Sequence, residues 1–208
     1  MNLIKKILIK TPILRNVFEY LNKIRITGTL YVSLLSQKEK ADLILYYAKK
    51  YNCKTFVETG TYKGDTVDAC KEFFDTLYSI ELSHDLYTQA KNRFLNINKI
   101  NILEGNSGDV LPNIIKDNNQ PILFWLDAHY SGGETARGIE DSPVVKEIMF
   151  ILNNRNNDCI LIDDARCFNG KAGYPTINTL KKIIRERNNT NTVKLHLQVK
   201  NDIIRISY

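Results

Sequence analysis

From Thr55 onward the chain alternates short apolar runs with longer stretches of helical period. Thr55–Glu58, Leu77–Glu81, Asn101–Glu104, Ile122–Asp127 and Ile160–Asp163 have the length and composition of strands. Asp65–Phe74, His84–Asn96, Gly108–Lys116 and Pro143–Asn153 lie between them and read as helices. Strand–helix alternation at this spacing predicts βαβ units and a parallel sheet. "PILFWLD" and "CILID" are apolar throughout, as strands covered on both faces should be. A further helix is expected over Ile177–Arg187, with Thr176 as its N-cap. The end of the chain differs. "VKLHLQV", the turn "KND" and "IIRISY" read as a hairpin, so the last strand should run antiparallel to its neighbours.

The first part of the chain carries a different pattern. A helix is expected from about Gln37 to Tyr51. Before it, Leu3, Ile4, Ile7 and Leu8 share one helical face, and Pro12 breaks the pattern. Leu14, Val17, Phe18, Leu21 and Ile24 resume it, and Gly28 marks a turn. Residues 1–36 therefore read as a basic helical extension, and 37–208 as an α/β domain.

Charge sharpens that division. The first 50 residues hold ten Lys/Arg and three Asp/Glu, leaving 19 and 20 for the other 158 out of totals of 29 and 23. The domain itself is close to neutral, which argues against an enzyme that grips nucleic-acid phosphates along its body. The apolar stripe of the extension needs cover. The expected cover is its own domain or a second copy in a homodimer. Adsorption to an anionic membrane through Lys5, Lys6, Lys10 and Arg15 is the less favoured third reading. No apolar run approaches the ~20 residues that span a bilayer, and the N-terminal lysines interrupt any signal-peptide core. Cys53, Cys70, Cys159 and Cys167 show no CxxC spacing and have apolar neighbours. Buried free thiols in a reducing compartment, and hence a cytoplasmic protein, are expected.

Candidate chemistry begins at "FVETGTYKGDT", Phe56 to Thr66. Gly60 permits a tight turn after the first strand of the domain, and Gly64 lets the next helix approach the sheet. Glu58 leaves a carboxylate at the strand end. A dinucleotide fingerprint needs a second glycine where Tyr62 stands, so a pyrophosphate is disfavoured. A ligand without phosphates, such as S-adenosylmethionine, has no such need. Its ribose hydroxyls need an acid at the end of the second strand. Glu81 follows Gly60 by about 20 residues, the spacing for that role. Taken alone, the two glycines could merely shape a βα turn.

"FVETGTYKGDT" resembles motif I of class I S-adenosylmethionine-dependent methyltransferases. "SIELS" resembles their ribose-binding strand end, and "ILEGNSGDVLP" the segment beside the adenine ring. The resemblance covers about residues 37–208. It implies a Rossmann-like, doubly wound, seven-stranded and mostly parallel sheet of order 3-2-1-4-5-7-6, with strand 7 antiparallel. It also implies cofactor contacts from Glu58, Gly60, Thr61, Tyr62, Gly64, Asp65, Thr66, Glu81, Asn106, Ser107 and Asp127.

In that order "FWLDAHYSGG" and "ILIDDARCF" are neighbouring strands, ~4.8 Å apart, so Asp127, Asp163 and Asp164 crowd one edge. Three carboxylates repel, and a hard divalent cation, Mg2+ first, would neutralise them. Helix capping would explain any one of them, though not readily all three. The arrangement resembles metal-dependent O-methyltransferases of the catechol and macrolide-sugar types. The catechol type has a lysine three residues after the first Asp, where this chain has Tyr130. His129 is the substitute general base. His84 follows Glu81 at the start of a helix near the cofactor rim, and His196 reads as structural. Two loops reach the same edge, "YSGGETARGIEDSP" and "ARCFNGKAGYP". Tyr130, Arg137, Arg166 and Tyr174 in them are candidates to bind the acceptor. Their polarity points to a small molecule or glycan rich in hydroxyls.

The expectation is thus a Mg2+-dependent O-methyltransferase acting on a hydroxyl. Its rivals are a metal-independent methyltransferase of the same fold, a metallohydrolase built on the Asp cluster, and a non-catalytic nucleoside-binding module.

Overall fold

A computed structural model describes residues 24–27, 30–116, 118–127 and 143–208, with backbone alone for 24–27 and 30–33. The chain forms two compact units, Met1–Ser36 and Gln37–Tyr208. The described part of the first is an antiparallel pair, β1 (Ile24–Thr27) and β2 (Leu30–Ser33), with Thr27 opposite Leu30. The helical reading of Ile24 is therefore corrected. "IRIT" and "LYVS" are rich in β-branched and aromatic residues on either side of Gly28, and pairing outweighs the 3–4 spacing of the apolar positions. The stripe from Leu3 to Leu21 lies outside the described residues.

The second unit begins with α1 (Gln37–Lys50) and then alternates. The order is β3 (Thr55–Thr59), α2 (Asp65–Cys70), β4 (Thr76–Glu81), α3 (His84–Arg93), β5 (Ile100–Glu104) and α4 (Ser107–Ile115). There follow β6 (Ile122–Leu126), α5 (Val144–Asn154), β7 (Cys159–Ile162), a 3-10 turn (Ala165–Cys167) and α6 (Ile177–Thr190). The chain ends in β8 (His196–Lys200) and β9 (Ile203–Ser207). These form one sheet in the order β5-β4-β3-β6-β7-β9-β8. Counted from β3, this is 3-2-1-4-5-7-6. The first five strands are parallel, and β9 runs antiparallel to both β7 and β8. Asn201 and Asp202 close the terminal hairpin with φ of 54° and 62°, the left-handed pair that a two-residue turn of matching twist requires.

Every residue of β6 and β7 is buried, which is why both read as unbroken apolar runs. Alternation along them feeds two layers. Phe124, Leu126, Ile160 and Ile162 join Leu111 of α4, Ile148 and Ile151 of α5, and Leu180 and Ile184 of α6 in one core. Trp125 and Asp163 take the opposite parity, the side reached by Lys40 of α1. The connections leave β3 toward β4 on one side and return to β6 on the other. The carboxyl ends of β3 and β6 therefore flank the point where strand order reverses, the usual ligand crevice of such sheets. Among the described residues no helix is long and apolar enough to cross a membrane.

Candidate active site

The first amides of the turn after β3 bond to β4 and within the turn. The Gly60 and Thr61 N–H groups donate to the Ile80 carbonyl at 2.9 and 3.2 Å, and the Gly64 N–H donates to Thr61 O at 2.9 Å. The Tyr62 N–H donates to Glu81 Oε2 at 2.8 Å. Four amides of the turn are thus spent on protein acceptors. Tyr62 sits at φ 49° with its side chain 45% exposed. Gly64 adopts φ 78°, and a Cβ there would stand 2.7 Å from Phe94 Cε2. That close approach to α3 explains the second glycine.

Glu81 closes β4 and is buried. Its Oε1 accepts the Ser83 N–H at 2.9 Å, so the two carboxylate oxygens are held by backbone from both sides. A carboxylate has about four acceptor positions. Two are taken, and a vicinal diol could use the others.

Two more acids are buried behind this edge. Glu58 accepts from Ser79 Oγ at 2.5 Å, and Ser79 Oγ lies 2.7 Å from Thr61 Oγ1. Burial pushes the Glu58 carboxyl up to about 8, with nearby Asp127 and Glu81 adding and the Ser79 and Thr66 hydroxyls opposing. Glu58 thus braces the turn from inside as a neutral acid. Glu147, on the first turn of α5, is 1% exposed, and no hydrogen bond closes on either carboxylate oxygen. Burial raises it to about 7, against the hydroxyls of Ser107 and Thr59 that face it. Ser107 Oγ is likewise buried without a bond. No motif marks Glu147. Its signal is positional: it shares a stripe with Val144, Ile148 and Ile151, where an apolar residue belongs.

The aspartates do come together. Leu126 and Ile162 are paired at the ends of β6 and β7, so Asp127 and Asp163 follow side by side. The Asp127 N–H donates to Thr59 O at 3.0 Å, and the Asp163 N–H to Leu126 O at 3.1 Å. Both oxygens of Asp163 are engaged. Oδ1 accepts the Asp164 N–H at 2.9 Å, and Oδ2 is bonded to the Lys40 ammonium. Burial alone would lower the Lys40 pKa, but Asp163, Asp127 and Asp164 outweigh it and raise it. Burial, with Asp127 adding, raises Asp163 in spite of the lysine. Asp164 takes a left-handed φ of 57° and pairs with Arg166 Nη1 at 2.5 Å. Lys40 has no place in any sequence motif. It lies one turn before Ile44 on the buried side of α1, which is the only hint the sequence offers.

The remaining candidates divide. Asp65 pairs with Arg93 at 2.7 Å at the start of α2. Asn106 caps α4, its Oδ1 accepting the Gly108 N–H at 3.0 Å. The Arg166 guanidinium is bound to Asp202 as well as Asp164, and the Tyr174 ring packs edge-on to Phe168 at 5.4 Å. His84 lies 2.8 Å from Glu104 on the surface, and His196 is exposed on β8. His129, Tyr130 and Arg137 lie outside the described residues. The four cysteines are free thiols, three of them buried.

No protein-family model and no curated protein matches the chain by sequence. Solved structures do match in shape. The O-methyltransferase TomG of Streptomyces achromogenes, solved with S-adenosylmethionine, superposes with a TM-score of 0.57 at 14% identity, over 84% of this chain and 81% of that one. A methyltransferase of Podospora anserina bound to S-adenosylhomocysteine gives 0.56 at 15% identity, over 93% and 83%. An O-methyltransferase of Bacillus cereus, also with S-adenosylhomocysteine, gives 0.54 at 12%, over 93% and 88%. The fold is that of the class I methyltransferases.

Within that class I fold the expected metal fits poorly. Among the described residues no three metal-ligating side chains form a group that could hold an ion. The donor set explains why. Asp163 already has a cation on one oxygen and an N–H on the other, and Asp164 is paired with Arg166. A divalent ion at Asp163 would stand against the Lys40 ammonium and be repelled by it.

Proposed function

We propose that the chain is an S-adenosylmethionine-dependent O-methyltransferase that acts on a hydroxyl of a small molecule or a glycan. The observation that carries this reading is the Glu81 carboxylate, pinned at the switch-point edge by the N–H groups of Tyr62 and Ser83. A turn with four amides bonded to protein, beside a fixed acid, suits a ribose and a sulfonium better than a pyrophosphate. In this reading Glu81 accepts from the ribose hydroxyls. Gly60, Thr61, Tyr62, Gly64, Asp65 and Thr66 shape the turn under the amino-acid part, with Glu58 as their buried brace. Asn106 and Ser107 border the adenine, and Asp127 lies toward the acceptor.

Bound S-adenosylmethionine would supply a methyl already activated by its sulfonium. The protein has then to hold an acceptor oxygen in line with it, exclude water and take a proton. The carboxyl ends of β6 and β7 are the place for that oxygen, with Asp127 and Asp163 side by side. His129, two residues beyond Asp127, takes the proton in this reading. Of the magnesium-dependent and metal-independent modes, the Lys40–Asp163 pair favours the second.

Calorimetry of the full chain separates the classes. S-adenosylhomocysteine should bind and NAD should not. Binding of NAD without S-adenosylhomocysteine would sink the assignment. Transfer of a labelled methyl to hydroxylated acceptors then tests the reaction itself.

A further inference from the structure

Lys40 belongs to the aspartate edge although it comes 123 residues before Asp163 in the chain. Its Nζ lies 5.9 Å from the centroid of the Trp125 ring, which is itself buried in β6. The side chain is therefore walled by the sheet as well as tied to Asp163. Asp163 is 4% exposed at its side chain and Lys40 is 20% exposed, so the pair is buried at the carboxylate and partly open along the lysine. An ammonium carries three donors, and Asp163 takes one.

We propose that Lys40 is the cation of the acceptor site, standing where a divalent ion would otherwise have to sit against Asp127 and Asp163. The inference rests on the methyltransferase reading. Two carboxylates at the ends of adjacent parallel strands, ~4.8 Å apart, need a positive charge near them. Lys40 supplies it from α1 without a dissociable ion. Because the Lys40 ammonium sits against Asp163 Oδ2, a divalent ion at that carboxylate would meet a like charge. The remaining ammonium donors are suited to an acceptor oxygen, which a fixed cation would hold and polarise as an ion does. Lysine also has the flexible stem to follow acceptors of different size.

The test is Mn2+ binding to the full chain saturated with S-adenosylhomocysteine, followed by electron paramagnetic resonance and calorimetry. The wild type should show no saturable Mn2+ site. Lys40→Ala uncovers the carboxylates and should bind Mn2+ at least about tenfold more tightly than the wild type. The added change Asp127→Asn should remove that gain. Lys40→Gln keeps a donor toward Asp163 and serves if the alanine variant does not fold. A stoichiometric Mn2+ site in the wild type, abolished by Asp127→Asn, overturns the inference. So does a folded Lys40 variant that gains no affinity. Failure of the wild type to bind S-adenosylhomocysteine would overturn the methyltransferase reading instead, and the Mn2+ comparison would still decide the place of Lys40.

Discussion

The Tyr62 N–H and the Glu81 carboxylate meet at 2.8 Å, which ties the turn after β3 to the end of β4. One acid thus shapes the turn and, in the methyltransferase reading, faces the ribose. Removing it should cost S-adenosylhomocysteine affinity by about 1.5–3 kcal/mol, as for charge-assisted hydrogen bonds. Part of that loss would come from the loosened turn. A 2′-deoxy analogue separates the parts. The wild type should bind the analogue more weakly than the parent, and Glu81→Ala should discriminate much less between them. Equal discrimination in both proteins would show that Glu81 does not touch the ribose.

Gly64 should tolerate no side chain. Its φ of 78° is left-handed, and a Cβ would press on Phe94, a residue 4% exposed and unable to move aside freely. Gly64→Ala is expected to lower the unfolding free energy by about 1–3 kcal/mol, from the backbone conformation and the overlap together. Lys63→Ala, one residue earlier, should change it little. Urea unfolding of the two variants checks the contrast, and an unchanged midpoint for Gly64→Ala would refute it.

The sheet was readable because its signals are local. Apolar runs fixed β6 and β7, turn residues fixed the terminal hairpin, and spacing placed Glu81 opposite Gly60. Lys40 and Glu147 were not readable in that way. Each gains its meaning from a partner far along the chain, Asp163 for one and Ser107 and Thr59 for the other. Both nonetheless break or border an apolar helical stripe, which is how a buried polar residue declares itself. Ile24 misled for the opposite reason. Its 3–4 spacing to Leu21 was genuine, but the β-branched residues on both sides of Gly28 favour strand pairing.

Glu147 should make stability fall as pH rises. Burial lifts its carboxyl from the ordinary 4.5 to about 7. Between those values the folded protein keeps a proton that the unfolded chain has released, so stability decreases with pH across that window. Below it both states are protonated and nothing is lost. Above it the whole cost is present, on the order of 3–4 kcal/mol. Glu147→Gln removes the titration and keeps the shape. The variant should be more stable than wild type at about pH 8 and gain nothing near pH 4. Glu58 titrates in both proteins and cancels in the comparison. A stability difference independent of pH would show that Glu147 does not hold its proton on folding.

Arg166 distinguishes a structural from an acceptor-binding role in the second loop. Its backbone N–H donates to Asp202 Oδ1 at 2.8 Å, and its guanidinium is bound to Asp202 and Asp164. Both carboxylates are buried, and Asp202 sits in the left-handed turn between β8 and β9. The residue therefore fastens the end of β7 to the terminal hairpin. Arg166→Met keeps the stem but strands two buried acids, and should lower stability by about 2–4 kcal/mol, somewhat less than a fully buried pair because the guanidinium is partly exposed. Arg166→Lys should recover much of this, since both carboxylates meet the single nitrogen Nη1 and an ammonium likewise offers several donors at one nitrogen. Adding Asp202→Asn to Arg166→Met should restore part of the loss, because it removes one of the unpaired charges. If Arg166 instead bound the acceptor, Arg166→Met would unfold with the wild-type midpoint and show its defect only in the KM for the acceptor. Denaturant unfolding of the three variants decides between the two.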